Sequence, residues 1–183
     1  MKVNLPDWLQ RRVAGLRHAS AVQEPAERMQ LAIELARENV ARGTGGPFGA
    51  LVCDGEGRLL GLGVNLVTKQ RCSLLHAEVV ALLLAQERTG DYDLGRAVAA
   101  PVLTTSVDPC VMCFGALVWA RIRRLECGAS TADAEAIGFD EGPKPRRWVA
   151  ALEQRGIRVV RPLLRASAAA VLKAYAAGGG PRY

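Results

Sequence analysis

Two short motifs, each placed where a helix begins, have to meet in space, and that demand restricts the fold more than any other feature of the chain. Ser73–Ala85 reads SLLHAEVVALLLA, an aliphatic run that carries His76 and Glu78 near its start, and Pro109–Cys113 reads PCVMC. Zinc sites are built from His nitrogen and Cys sulfur, and C-x-x-C is a frequent spacing for them. Asp108 suits an N-cap and Pro109 the first helical position, so both thiols are expected in the first turn. Residues three apart on a helix are neighbours, which lets both sulfurs reach one ion. The positive end of the helix dipole favours the thiolate form that binds metal.

Successive helical residues lie about 100° apart, so His76 and Glu78 point to nearly opposite sides of their helix. They can flank only a group lying off its N-terminal end. Two helices aimed end-on at one ion would bring His76, Cys110 and Cys113 together and leave Glu78 nearby, unbound. Three protein ligands with an open fourth position describe a catalytic site, whereas structural zinc sites are closed by four protein ligands. The rival is a structural site in which Cys72 supplies the fourth ligand, a reading that leaves Glu78 without a use. Cys53 and Cys127 fall in expected strands and read as core residues.

The rest of the chain reads as one soluble domain. Its 183 residues are enough to bury a sizeable core. No apolar run approaches the roughly 18 residues that span a bilayer. The start, MKVNLPDWLQRR, lacks a secretory signal, so the cytoplasm is the expected location. Five cysteines, an odd number, argue against a disulfide framework. The net charge of +6 raises nucleic acid as a partner. Its basic residues are scattered, however, with the densest groups at Arg121–Arg124 (RIRR) and Lys144–Arg147 (KPRR), and no aromatic platform interleaves with them. Nucleic acid is therefore disfavoured.

Residues 5–20 suggest a short helix within an N-terminal extension, residues 1–25, ahead of the main domain, 26–183. Met29, Ala32, Ile33, Ala36 and Val40 recur at helical spacing between Pro25 and Gly43. Two apolar runs around Asp54–Gly57 form a β-hairpin pattern. Beyond it come a helix at 74–88, a strand at 101–106, a helix at 109–121 and a strand at 125–130. A helix at 148–155, a strand at 157–164 and an Ala-rich helix at 166–177 follow, and the tail is GGGPRY. A hairpin followed by alternating helices and strands predicts an α/β fold, one mixed sheet with helices on both faces.

With HAE and PCVMC in place, the chain matches the zinc deaminase signature H-x-E…P-C-x-x-C. It resembles the cytidine deaminase-like superfamily, and specifically its guanine deaminase branch, through GGPFGALV (45–52), Asn65, RCSLLHAEVVAL (71–82), DPCVMCFGALVWARI (108–122) and AEAIGFDEGP (134–143). The resemblance implies a three-layer α/β/α fold with a five-stranded mixed sheet. It implies one catalytic Zn2+ per subunit on His76, Cys110 and Cys113, with a water or hydroxide as fourth ligand. Glu78 is then the proton carrier, and Glu141 a second acid–base group that accepts from the ring N–H donors of guanine. Asn65 is expected on the ring edge, with Phe48 and Trp119 against the base. The branch also implies a homodimer in which exchanged C-terminal segments close the partner's site, making Tyr183 a lid residue. The activity implied is hydrolysis of guanine to xanthine and ammonia. A tRNA adenosine deaminase is the alternative, and GFDEGP argues against it. Guanine, cytosine and aminated triazines such as ammeline share the reacting amino-on-ring geometry.

Overall fold

Residues 49–53 alternate between two separate apolar cores, and the architecture follows from that division. The computed structural model describes residues 3–16 and 21–182. In chain order its elements are α1 (Asp7–Gly15), α2 (Pro25–Ala41), β1 (Gly49–Cys53), β2 (Leu59–Val64), α3 (Val67–Gln70), α4 (Ala77–Thr89), α5 (Leu94–Ala97) and β3 (Val102–Val107). Then come α6 (Val111–Trp119), β4 (Arg124–Ala129), α7 (Thr131–Glu135), α8 (Trp148–Glu153), β5 (Arg158–Val160) and α9 (Arg165–Ala177). The sheet runs β2-β1-β3-β4-β5. β1 pairs antiparallel with β2 and β3, while β3–β4 and β4–β5 are parallel.

Side chains of a strand point alternately to opposite faces. Leu51 and Cys53 therefore join Met29 and Ile33 of α2 and Val171 and Leu172 of α9. Ala50 and Val52 join Ala81 and Ala85 of α4, Leu117 of α6 and Leu152 of α8 on the other side. The result is the three-layer sandwich that the sequence implies. Trp8 and Leu9 of α1 are buried in the same core as α2, so the N-terminal helix packs on the body of the domain.

The hairpin turn forms as its residues suggest, with the buried Asp54 carboxylate accepting from the backbone N–H groups of Glu56 and Arg58. Strand β2 places Gly61 and Gly63 against α4. A Cβ at Gly63 would stand 2.0 Å from Ala77 O, and one at Gly61 2.3 Å from Ala81 O. The helix thus lies flush on the strand, and this depth sets where its first turn stands.

Three boundaries differ most from expectation, the first being helix α4, which begins at Ala77, three residues late, with His76 as its N-cap rather than inside it. Strand β5 ends at Val160, short of the expected 164, because Pro162 has no N–H to continue a ladder. Helix α6 begins at Val111, two residues later than the sequence suggests, because Cys110 keeps an extended backbone. Asp108 is accordingly not its N-cap. Its buried carboxylate is gripped by Arg161, with Nε at 2.8 Å and Nη2 at 2.6 Å, and accepts from Thr131 N at 3.0 Å.

The C-terminal tail folds back on its own chain. Tyr175 Oη donates to Pro181 O at 2.8 Å, Gly180 sits against the Tyr175 ring, and Arg182 Nε donates to Ile137 O at 3.0 Å. Tyr183, the expected lid, lies outside the described residues, as does His18.

Candidate metal centre and active site

Helix α4 follows β2 by way of α3, and α6 follows β3; the two strands run in the same direction, so both helices begin at the same end of the sheet. His76 is the N-cap of α4 and Cys110 the N-cap of α6, both with extended backbone, at φ −68° ψ 157° and φ −67° ψ 174°. An N-cap side chain projects beyond the helix end, which is how the two come to face one another. His76 Nδ1 lies 3.5 Å from Cys110 Sγ. Cys113, in the first turn of α6, completes a cluster whose three donor atoms lie within 4.8 Å of one another. One nitrogen and two sulfurs at that separation suit zinc, and no carboxylate is among them. Among the described residues Cys72 does not join this group; it packs against the apolar core on the α2 side, so the four-ligand structural site does not form.

The electrostatics prepare one thiolate. A hydrogen bond with Cys113 brings the Cys110 thiol down to about 4 against the cost of burial, with His76 adding to the effect. The same bond, together with burial, pushes Cys113 up. Burial opposes charge on His76, but its contacts with Cys110 and Glu78 outweigh that and raise it. The carboxyl of Glu78 is buried and raised, first by desolvation and then by the negative charge of Cys110. A carboxyl raised in this way holds a proton more readily, which is what a proton carrier requires.

Phe48, Asn65, His76, Glu78, Cys110 and Glu141 line one cavity, together with Asp108, Phe139 and Asp140. Six of the expected residues other than Cys113 thus converge: Phe48, Asn65, His76, Glu78, Cys110 and Glu141. The cavity measures about 30 Å³. Asn65 Oδ1 accepts from Val67 N at 3.2 Å, whereas its buried Nδ2 has no partner among the described residues. Glu141 Oε2 is likewise buried and unpartnered, and its carboxyl is pushed up to about 8 by burial and by Cys110 against the pull of Lys144. An unmatched donor and an unmatched acceptor, both facing one cavity, are costly unless a ligand satisfies them.

Trp119 does not join the cavity. It stands 78% exposed at the far end of α6, in a shallow groove with Leu82, Leu83, Tyr92 and Ala116. The expectation that it packs on the base within its own chain is corrected: a side chain at the C-terminal end of a helix cannot reach a site at the N-terminal end. Phe139 takes the place beside Phe48, their ring centroids 4.9 Å apart and their planes at 77°. Phe139 is in turn stacked at 6.1 Å on Tyr175 of α9. The sequence reading passed over Phe139 although it stands inside GFDEGP. It also passed over Asn39 of α2, whose Nδ2 donates to Gly46 O and Asn65 O and so fixes the backbone of both cavity segments. A buried Asn in an otherwise apolar helix stripe was the available signal.

Comparison with known proteins agrees with this geometry. The profile of the family described as "Cytidine and deoxycytidylate deaminase zinc-binding region" matches residues 22–129. The chain is similar to the guanine deaminase of Bacillus subtilis, 39% identical over 113 residues, which are 62% of this chain and 69% of that protein. It is also similar to the tRNA-specific adenosine deaminase of Haemophilus influenzae, 36% identical over 110 residues, 60% of this chain and 61% of that one. The structure of the guanine deaminase from Nitrosomonas europaea superposes with a TM-score of 0.89 at 43% identity, covering 97% of this chain and 96% of the other.

Proposed function

The chain belongs to the cytidine and deoxycytidylate deaminase family, and from that premise we propose that it hydrolyses guanine to xanthine and ammonia. The observation that carries the choice of substrate is the pair of unmatched polar atoms beside the metal cluster, Asn65 Nδ2 and Glu141 Oε2. Guanine presents a carbonyl and ring nitrogens that accept and ring N–H groups that donate, so an amide donor and a carboxylate acceptor can hold it. A site built to hydrogen-bond such an edge rejects rings that leave its buried groups unpaired. The likeness to a guanine deaminase over nearly the whole chain supports the same reading.

Zinc on His76, Cys110 and Cys113 would lower the pKa of a water from 15.7 towards roughly 7 and so supply a nucleophile at neutral pH. Glu78 takes one proton of the attacking water and delivers it to a ring nitrogen as the new C2–O bond forms. It then takes the remaining proton of the added oxygen and delivers it to the amino group, the C2–N bond breaks as the C2 carbonyl forms, and ammonia leaves. Glu141 accepts from a ring N–H and holds the base against Asn65. Phe48 and Phe139 provide apolar walls and exclude water. Trp119 has no part in this within the chain. Its exposed face, with Leu83 and Tyr92, is the surface we assign to a homodimer. Whether Tyr183 closes the site is read by deleting residues 178–183 and measuring KM. Five free cysteines suit the reducing cytoplasm, where we place the enzyme. No helix among the described residues is long and apolar enough to cross a membrane.

The test is ammonia release by zinc-loaded protein from guanine, adenine, cytosine, ammeline and tRNA. Guanine is expected to give the highest kcat/KM. Release from tRNA alone would replace this reading with the tRNA adenosine one.

A further inference from the structure

The segment that carries Glu141 belongs to no helix or strand, yet a carboxylate that meets a base must be held to a fraction of an ångström. Three contacts hold it. Val111 N, the first N–H of α6, donates to Glu141 O at 3.0 Å. Gly142 N donates to Asp140 Oδ1 at 2.8 Å and tightens the turn, and Gly142 lies so close to Val111 that a Cβ there would come within 2.5 Å of its side chain. The third contact is Lys144. Its ammonium donates to Pro109 O at 2.6 Å and to Thr131 Oγ1 at 2.7 Å, with the Trp148 ring centroid 4.8 Å away. Pro109 immediately precedes Cys110, and Thr131 is tied through its backbone N–H to Asp108.

We propose that Lys144 is a positioning residue for Glu141: its ammonium staples the GFDEGPK segment to Pro109, and so fixes the distance between the Glu141 carboxylate and the metal ligands. This rests on the guanine reading above, because it gives Glu141 a substrate to meet. Lys144 itself does not line the cavity. It acts on the reaction only through the segment it holds. A lysine three residues after the acid would otherwise read as one more solvated charge in KPRR, yet both its acceptors adjoin the site: Pro109 lies between the lining residues Asp108 and Cys110, and Thr131 N donates to Asp108. Its third neighbour, the Trp148 ring, also receives Arg161 at 5.4 Å, so one aromatic face steadies both cations that brace Asp108, Pro109 and Thr131.

The test is a double-mutant cycle on zinc-loaded protein: parent, Lys144→Met, Glu141→Gln, and both together. Lys144→Met is expected to lower kcat/KM for guanine by about 30-fold, as a displacement of a fraction of an ångström to 1 Å does, with zinc still bound at one ion per chain. In the Glu141→Gln background the same change is expected to cost less than about 3-fold, because a residue acting through Glu141 has nothing left to act on. Where turnover of Glu141→Gln is too slow to follow, guanine affinity by calorimetry on the four proteins carrying Glu78→Gln gives the same cycle. If Lys144→Met fails to fold, Thr131→Val removes one of the two acceptors and takes its place. An equal loss in both backgrounds, or no loss in either, overturns the proposal. A parent that releases no ammonia from guanine overturns the guanine reading instead, so the two failures are distinct.

Discussion

Replacing Gly63 by alanine adds one methyl group far from any reacting atom, and the structure predicts that it damages both stability and turnover. The new Cβ would stand 2.0 Å from Ala77 O, 2.5 Å from Ala81 N and 3.0 Å from Ala81 Cβ, where ordinary contact begins near 3.4 Å. Two of these three atoms are backbone, so no rotamer change relieves the clash and α4 itself must retreat. Overpacking of this kind costs about 1–3 kcal/mol, and backbone clashes belong at the upper end. For a domain of this size each kcal/mol moves Tm by about 2–4 °C, so a loss of roughly 6–12 °C is expected. The retreat also carries His76 and Glu78 away from Cys110 and Cys113. A shift on the order of 1 Å at the reacting groups costs about 100-fold in rate. The control is the same substitution at Gly115, inside α6, where a Cβ meets nothing within 4 Å. There alanine should stabilise by about 0.5–1 kcal/mol through helix propensity. Thermal melts, zinc content and guanine kinetics on the two variants read all of this. Should Gly63→Ala keep its Tm within 2 °C, in units set by the scale above, and kcat/KM within about 3-fold, the flush packing of α4 on β2 is not what positions the site.

Glu78→Gln is expected to keep zinc and lose about 10²–10⁴-fold in kcat, the span of general acid–base catalysis; near-normal turnover would remove Glu78 from its role. Arg161→Met leaves the buried Asp108 carboxylate with only Thr131 N as a donor. Breaking a buried pair costs about 3–5 kcal/mol, and the partial exposure of Arg161 reduces this to about 2, read as a shift in urea midpoint. Thiol titration at pH 8 should find Cys72 reactive in the zinc-loaded protein, since Cys53 is pushed up to about 12 by burial and Cys127 is raised by it too. Chelation should add Cys110 and Cys113, and rapid reaction of Cys53 or Cys127 in folded protein would contradict their burial. The same shift fixes a sign with pH: above the unfolded thiol pKa of about 8.5, the unfolded chain gives up a proton that folded Cys53 keeps to about 12. Stability should fall over that window, and Cys53→Ala should flatten the fall; an identical slope in the two proteins would rule the contribution out.

What could be read from the sequence was local. The stripe Met29–Ile33–Ala36 announced α2, Asp54–Gly57 announced the hairpin turn, and the two ligand motifs announced each other through the geometry of helix starts. What escaped was settled by partners distant in sequence. Asp108 is an ideal cap by its position, but Arg161 lies 53 residues ahead, and a bidentate guanidinium outcompetes a backbone N–H for a buried carboxylate. Phe139 earned no notice because its significance lies in Phe48 and Tyr175, on β1's approach and on α9. Trp119 was misplaced for the opposite reason. Its position in a matching motif suggested the cavity, while the length of α6 carries it to the other end.

The two helix starts that hold His76 and Cys110 have a consequence for how the protein matures. Neither has a side-chain cap hydrogen bond, although Ser, Thr, Asp or Asn at such a place is worth about 1 kcal/mol. The chain has placed metal donors where it could have placed caps, so at these two beginnings the bond to metal stands where a cap hydrogen bond would. Metal binding ties residues 76 and 110 across that gap and becomes part of the folding free energy. Zinc loading is therefore a maturation step for this chain: it joins two helix beginnings that no side chain caps, and that is what turns a folded polypeptide into an enzyme.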